Sequence, residues 1–489
     1  MVEPLKCFEN IFQNLPDNWL YGIENQPFQE SVEQLYIELI AFIQTSNTLP
    51  KIIIAESEPI NFLAAFLAAC AAKCQVFLCN PDWGENEWQQ VFDLVQPDMI
   101  LGKGERGRGG RGGQGEVLSS LSPLSPLSPP SPYSLLPTPY SPLIMIPTGG
   151  SSGQIKFAVH TWETLTASVG GFTQYFQVKQ VNSVCVLPCY HVSGLMQFMR
   201  AFTTAGKLAI LPFKQLESAE ILNINPTEFF ISLVPTQLQR LLQNPLLINW
   251  LSQFEAVLVG GAPAWYELLE KARFYQIPLA PTYGMTETAS QIVTLKPNDF
   301  KSGKIGCGQV LPHAQVLICN DNGDLLPANQ IGNITIKTTS LMLGYYHQYI
   351  ENNQLAISNN FKIDDVGYFD DYGYLNIIGR SSDKIITGGE NVYPTEIEAA
   401  IRETEMVLDV CVIGIVDNDW GQAVTAVYVP KYANTSIFAI KTILKYKLCK
   451  FKIPKNWIAI TDLPRNSQGK INRQKLQEIA MQSEQTTLR

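Results

Sequence analysis

Tyr283-Gly284-Met285-Thr286-Glu287-Thr288-Ala289-Ser290 sets an aromatic ring, a hydroxyl and a carboxylate within five residues. It follows Ile277-Pro278-Leu279-Ala280, a short apolar stretch that reads as a strand. An aromatic ring stacks on a nucleobase. The Thr286 hydroxyl is suited to bond a phosphate, and Glu287 beside it to hold Mg²⁺, which prefers hard oxygen ligands in the company of phosphates.

Upstream of this stretch, residues 1–102 alternate helix and strand. Residues 30–45 have helical apolar spacing, 51–55 form a β-branched strand, and 60–72 form a buried helix. A strand at 75–79, a helix at 83–95 and a strand at 98–101 follow. Such alternation predicts a parallel α/β sheet. Residues 102–115 then turn Gly- and Arg-rich, and 119–142 are a Ser/Pro/Leu tract with a repeated Ser-Pro-Leu. That composition packs no core, so 102–142 reads as a disordered insertion in a surface loop. Its Arg-Gly run at 106–113 is also compatible with an RNA-binding arm. The α/β alternation resumes at Leu143. Short strands and turns begin near Ser302, and a unit of about a hundred residues follows a junction at 379–384.

At 489 residues the chain exceeds one ordinary core, and 46% hydrophobic against 16% charged residues suits large buried interiors. A net charge of -9 argues against broad nucleic-acid binding. The ten cysteines form no C-x-x-C pair and lie at no ligand spacing from a histidine, so they read as buried thiols of a reducing compartment. No signal peptide is read at the N-terminus, and the longest apolar run, 62–72, is too short to span a bilayer. A cytoplasmic enzyme is the natural class.

Four further segments carry chemistry. Pro147-Thr148-Gly149-Gly150-Ser151-Ser152-Gly153-Gln154-Ile155-Lys156 follows an apolar strand. Glycines there turn N–H groups toward an anion, and Thr and Ser hydroxyls add donors; an ordinary Gly/Ser turn is the plainer alternative. No Gly-Lys-Ser/Thr closes it, so it is not a Walker-type loop. Leu187-Pro188-Cys189-Tyr190-His191-Val192-Ser193-Gly194 places one of only four histidines between a strand and a helix. In Asp364-Asp365-Val366-Gly367, a carboxylate is suited to grip both ribose hydroxyls. Near the C-terminus, Leu463-Pro464-Arg465-Asn466-Ser467-Gln468-Gly469-Lys470 sets a lysine after a glycine, in isolation a solvated charge.

In this order and across residues 143–471, these segments resemble the adenylate-forming acyl-CoA synthetase superfamily. Tyr283 to Glu287 matches its Y-G-x-T-E signature, and 147–156 its flexible phosphate loop, with Ile155 where the family has Pro. The resemblance implies a large α/β domain over 1–380, with parallel sheets and a small β-rich subdomain. It also implies a small mobile α+β domain over 381–489. ATP, Mg²⁺ and CoA are the implied cofactor and co-substrates. Thr148, Ser151, Ser152, Gly153 and Lys156 then face the ATP phosphates. Gly260, Gly261 and Ala262 lie against one face of adenine and Tyr283 against the other, with Asp365 on the ribose and Arg380 beside it. His191, Ser193 and Gly194 line the acyl pocket. Asp383 is the inter-domain hinge, and Gly388, Gly389 and Glu390 line the thioester site. Lys470 becomes the mobile catalytic cation of adenylation, acting with Thr286 and Glu287. Asp364 stands where the family usually has Gly.

Within the superfamily the chain looks most like the o-succinylbenzoate–CoA ligases of menaquinone and phylloquinone synthesis. The likeness rests on 147–153, Val234-Pro235-Thr236-Gln237-Leu238, 283–290 and Gly388-Gly389-Glu390-Asn391-Val392-Tyr393-Pro394. A ligase for another aryl or medium-chain acid is the alternative. A third reading, a nucleotide- or RNA-binding protein built on a decayed ligase, sits badly with Glu287, Asp365 and Lys470 together. The implied substrate has an aromatic ring, a ketone and two carboxylates, one unreacted, so its pocket needs hydroxyls and a cation. Ser193, Thr288 and Ser290 are candidate hydroxyls. Arg240 is the candidate cation, although the stripe Val234, Leu238, Leu241 and Leu242 leaves it pointing the other way, as on a solvated face. No oligomeric state is read.

Overall fold

A computed structural model describes residues 6–22, 25–46, 49–102, 142–149, 154–347, 360–417, 419–465 and 471–487. The expected insertion, apart from its two end residues, lies outside them, as do Ser151, Ser152, Gly153 and Lys470.

The first sheet is built around Lys51–Ala55, whose Ile52, Ile53 and Ile54 are sealed from solvent on both faces. Such a β-branched run suits a strand covered on both sides. It pairs in parallel with Gln75–Leu78 and Met99–Gly102. The sheet continues through Leu143–Gly149 and Ile155–His160 to Gly344–Tyr345. The helix Pro59–Ala71 covers one face and is buried from Phe62 to Cys70, with Pro59 in its first turn. The second sheet runs in the order Gln309–Val310, Ser290–Thr294, Leu279–Met285, Ala256–Val259, Phe229–Leu233, Asn182–Cys185 and Leu208–Ile210. A four-stranded antiparallel sheet spans 314–380. The last sheet begins at Ile385 and carries the helices Pro394–Arg402 and Ile437–Lys447 against it. This is the expected α/β class, with a β-rich part and a C-terminal α+β part. Among the described residues no helix is long and apolar enough to cross a membrane.

Each parallel sheet closes on one side in an antiparallel hairpin. One is Leu143–Gly149 with Ile155–His160, the other Leu279–Met285 with Ser290–Thr294. Pro147 to Gly149 and Ile155 to Lys156 of one signature segment, and Tyr283 to Met285 of the other, therefore sit in strands, and Thr286–Thr288 form a single 3-10 turn. The expected strand 277–280 instead runs Leu279–Met285, because pairing with Ser290–Thr294 satisfies the backbone of Tyr283, Gly284 and Met285. Gly284 is required there: a Cβ at that position would stand 2.1 Å from the Ser290 carbonyl oxygen.

Candidate active site

The two hairpins meet at Glu287. Its side chain is buried, and its carboxylate accepts hydrogen bonds from Tyr345 Oη at 2.7 Å and Thr148 Oγ1 at 3.3 Å. Burial first, and then the Glu287 charge, pushes the Tyr345 phenol up, so it stays a donor. Lys156 Nζ lies 5.4 Å from the centre of the Tyr345 ring. Thr148 and Lys156 are direct partners in their hairpin, so pairing register sets the hydroxyl that bonds Glu287 beside the ammonium that lies over the Tyr345 ring.

His160, at the far end of that hairpin, was not singled out in the sequence. It is fully buried, with Nε2 2.8 Å from the Thr286 carbonyl oxygen and Nδ1 3.0 Å from Thr164 Oγ1. Burial pushes its imidazole down to about 4. A neutral ring donating from Nε2 fixes the backbone of Thr286 and so aims the signature turn.

Tyr283 donates to Asp365 Oδ2 at 2.5 Å, and Arg380 Nε stands 3.4 Å from Asp365 Oδ1. Strand pairing sets Asp365 opposite Arg380. Burial, then the Asp365 charge, pushes the Tyr283 phenol up and keeps it protonated. Gly260, Gly261 and Ala262 leave the end of Ala256–Val259, which pairs in parallel with Leu279–Met285 up to Pro281. The ring and the small residues thus lie at the carboxyl ends of two neighbouring inner strands of the second sheet, and the Asp365 carboxylate reaches the ring from the four-stranded sheet.

On the side expected to take the acyl group, His191 precedes the helix Val192–Thr203, which carries Ser193, Gly194, Gln197 and Arg200. Positions 193, 197 and 200 fall on one helical face. Arg200 is 3% exposed and pairs with no carboxylate in any described ion pair. It donates to Ser290 Oγ at 2.9 Å and Gln291 Oε1 at 3.3 Å, and its guanidinium lies 4.3 Å over the Phe172 ring. Burial pushes it down to about 9. A buried cation without a counter-charge costs several kcal/mol, on the order of a broken buried ion pair.

Arg240, foreseen as the cation of the acyl pocket, faces solvent, whereas Arg200 is buried. Arg240 is 59% exposed and 3.7 Å from Glu217, because Leu238, Leu241 and Leu242 turn the other face of its helix inward. Arg200 did leave a signal: a lone charge in an apolar helix, seven residues after Ser193. Thr288 is a second correction. It is fully buried, and its hydroxyl accepts from Met285 N at 3.1 Å and lies 2.8 Å from the Ser290 carbonyl oxygen. It closes the signature turn and has nothing left for an acyl group. That turn holds Ala289 and Ser290 at φ +49° and +90°. For Ser290 such backbone is strained, and it aims the hydroxyl at Arg200.

At the junction, Asp383 lies 3.4 Å from Arg473 Nε. Asp364, in the family's usual Gly position, accepts from Ser382 N at 3.0 Å and also bonds the Ser382 hydroxyl. Gly388, Gly389 and Glu390 form an exposed turn, with Gly388 beside the Trp420 ring.

Residues 50–346 match the family model for AMP-binding enzymes, and 396–470 that for the C-terminal domain of AMP-binding enzymes. The chain belongs to the AMP-binding enzyme family. Among family members, the 2-succinylbenzoate–CoA ligase of Listeria monocytogenes serotype 4b (strain F2365) is 35% identical over 333 residues, 68% of either chain. That of Geobacillus sp. (strain WCH70) is 32% identical over 344 residues, 70% of either. In fold, the chain is similar to o-succinylbenzoate CoA synthetase from Bacillus subtilis in complex with the acyl-adenylate OSB-AMP. The TM-score is 0.77 at 23% identity, covering 97% of this chain and 98% of that one. ATP-bound MatB from Rhodopseudomonas palustris shares the fold with a TM-score of 0.78 at 23% identity, covering 97% and 99%.

Proposed function

We propose that this protein is an o-succinylbenzoate–CoA ligase, an AMP-forming acid–thiol ligase of menaquinone or phylloquinone synthesis in the cytoplasm. The observation that carries the substrate is Arg200. A pocket for a plain fatty or aryl acid has no use for a buried cation without a counter-charge. An acid keeping a second, unreacted carboxylate supplies that charge, and the relatives named for this activity support the same choice.

In the first step the succinyl carboxylate attacks the α-phosphorus of ATP, and pyrophosphate leaves. Thr148, Ser151, Ser152, Gly153, Lys156 and Thr286 bind the phosphates. Tyr283 and Gly260 to Ala262 enclose the adenine, and Asp365 with Arg380 holds the ribose. A lone buried carboxylate with hydroxyl neighbours fits Mg²⁺ carried in by a nucleotide, so Glu287 would hold it. There Mg²⁺ would neutralise phosphate charge. Lys470 adds a cation where charge develops. In the second step the CoA thiolate attacks the acyl carbon and AMP leaves. His191, Ser193 and Gly194 border the acyl group. Residues 1–380 form the large domain and 381–489 the mobile one, turning at Asp383 to exchange Lys470 for the loop of Gly388, Gly389 and Glu390.

The test is ATP–pyrophosphate exchange with o-succinylbenzoate, benzoate, coumarate and octanoate, on the wild type and Arg200→Met. O-succinylbenzoate should lead by at least tenfold, and Arg200→Met should erase that lead. Equal exchange with octanoate, or an unaffected Arg200→Met, would make this a ligase for another acid.

A further inference from the structure

His313 sits in the link between the strands Gln309–Val310 and Ala314–Cys319. Its carbonyl accepts from Thr338 Oγ1 at 3.0 Å and Thr339 N at 3.3 Å, which fixes the link. The ring is wedged against the helix Trp162–Phe176, where a Cβ on Gly171 would lie 1.8 Å from Nδ1. A glycine inside a helix is destabilising relative to alanine. Here it makes room for an imidazole.

Both ring nitrogens of His313 are buried and have no hydrogen-bond partner, as are Arg200 Nε and Gln197 Oε1. These are four of the seven such side-chain atoms among the described residues. They share one neighbourhood. Gln197 and Arg200 lie a turn apart on one helix, Arg200 lies over Phe172, and His313 packs on the adjacent Gly171. Unmade hydrogen bonds in the interior are costly, so such a concentration points to a ligand that makes them.

We infer that His313 is a specificity-determining residue, donating a hydrogen bond to the unreacted carboxylate of the acyl substrate beside Arg200. This rests on the reading of Arg200 given above. The division of labour is chemical: Arg200 supplies charge, and a neutral imidazole supplies one N–H. Burial, and after it the charge of Arg200, pushes the imidazole down to about 4, so the ring enters the site uncharged. Arg200 is the one charge found to bear on it among the described residues. The neighbouring strand presents the uncharged Ser290 and Gln291, and the link is held by Thr338 and Thr339.

The experiment compares kcat/KM for o-succinylbenzoate and for 4-oxo-4-phenylbutanoate, the same acid without its ring carboxylate. His313→Leu should lower kcat/KM for o-succinylbenzoate by roughly ten- to a hundredfold, the worth of a hydrogen bond to a charged group. The phenylbutanoate should change by less than about threefold, a difference near the size of a surface effect. His313→Gln, which keeps an N–H donor, should recover most of the loss. Gly171→Ala, which drives a methyl into the ring's place, should reproduce the selective loss if His313→Leu fails to fold. Equal losses with both acids, or none with either, overturn the assignment of His313. A wild type indifferent to the ring carboxylate overturns the reading of Arg200, and the role of His313 with it. An effect of Arg200→Met with His313→Leu unchanged overturns His313 alone.

Discussion

Tyr283 and Asp365, 82 residues apart, are joined by a 2.5 Å hydrogen bond that ties the signature strand to the antiparallel sheet. The phenol stays protonated because burial and the carboxylate beside it both disfavour its anion. One carboxylate oxygen is thereby oriented by Tyr283, while the other faces Arg380 at 3.4 Å. Asp365 is braced on both sides, which suits the ribose-binding role proposed for it.

This bracing makes the pair separable by experiment. Asp365→Asn should lower kcat/KM for ATP in pyrophosphate exchange by roughly tenfold to a hundredfold, the worth of hydrogen bonds to a charged group. Tyr283→Phe keeps the ring and loses only the brace, so its loss should stay within about tenfold. The KM for the acid should move in neither. Titration of both substrates checks this, and an Asp365→Asn enzyme with normal ATP dependence would remove Asp365 from the nucleotide site.

His160 gives a prediction about pH. Its folded pKa, about 4, lies below its ordinary 6.5, so on acidification the unfolded chain takes up the proton first. Stability is therefore full above about pH 6.5 and falls as the pH drops toward 4. Between pH 7 and pH 5 the loss from this one residue is roughly 2 kcal/mol. Urea unfolding at the two values measures it. His160→Gln should show a correspondingly smaller pH dependence, and an unchanged one would mean that His160 titrates normally in the folded protein.

Much of this arrangement was legible because the deciding residues are local in sequence. The β-branched run Ile52 to Ile54, the helix that starts at Pro59 and the hydroxyl-carboxylate signature each announce themselves within a few positions. His160 and His313 do not, because their meaning comes from contacts made across the fold, and Arg200 shows locally only as a lone charge in an apolar helix. His160 matters through Thr286, 126 positions away, and His313 through Gly171. Thr288 misled for the complementary reason. A hydroxyl in the signature looked available to a ligand, but the turn itself uses it. Arg240 could be doubted from the apolar stripe alone, and the ion pair with Glu217 explains where its charge goes.

The tract at 102–142 should be dispensable. Met99–Gly102 and Leu143–Gly149 lie in one sheet, three strand steps apart. Those steps amount to roughly 14 Å across the sheet. A Gly/Ser linker of about a dozen residues spans that distance together with the length of a strand. Replacing residues 103–141 this way should leave ligase activity and thermal midpoint close to the parent's. Unfolding of the shortened protein, or loss of a measurable RNA affinity, would give the tract a structural or binding role.

The two loops of the C-terminal part should fail in opposite half-reactions. In the proposed reaction Lys470 serves the step in which pyrophosphate leaves, so Lys470→Ala should depress acyl-AMP formation by a factor of hundreds, as expected when several kcal/mol of charge stabilisation is lost. Given pre-made acyl-AMP and CoA, the same variant should form thioester near the parental rate. Gly389 sits at φ +84° with no atom within 4 Å of where its Cβ would be, so a large side chain finds space but strains the turn. Gly389→Trp should therefore leave adenylation intact and block thioester formation. Rapid quench of each half-reaction separates the two. Equal loss of both steps in both folded variants would mean that one fixed arrangement, not alternation about Asp383, performs the chemistry.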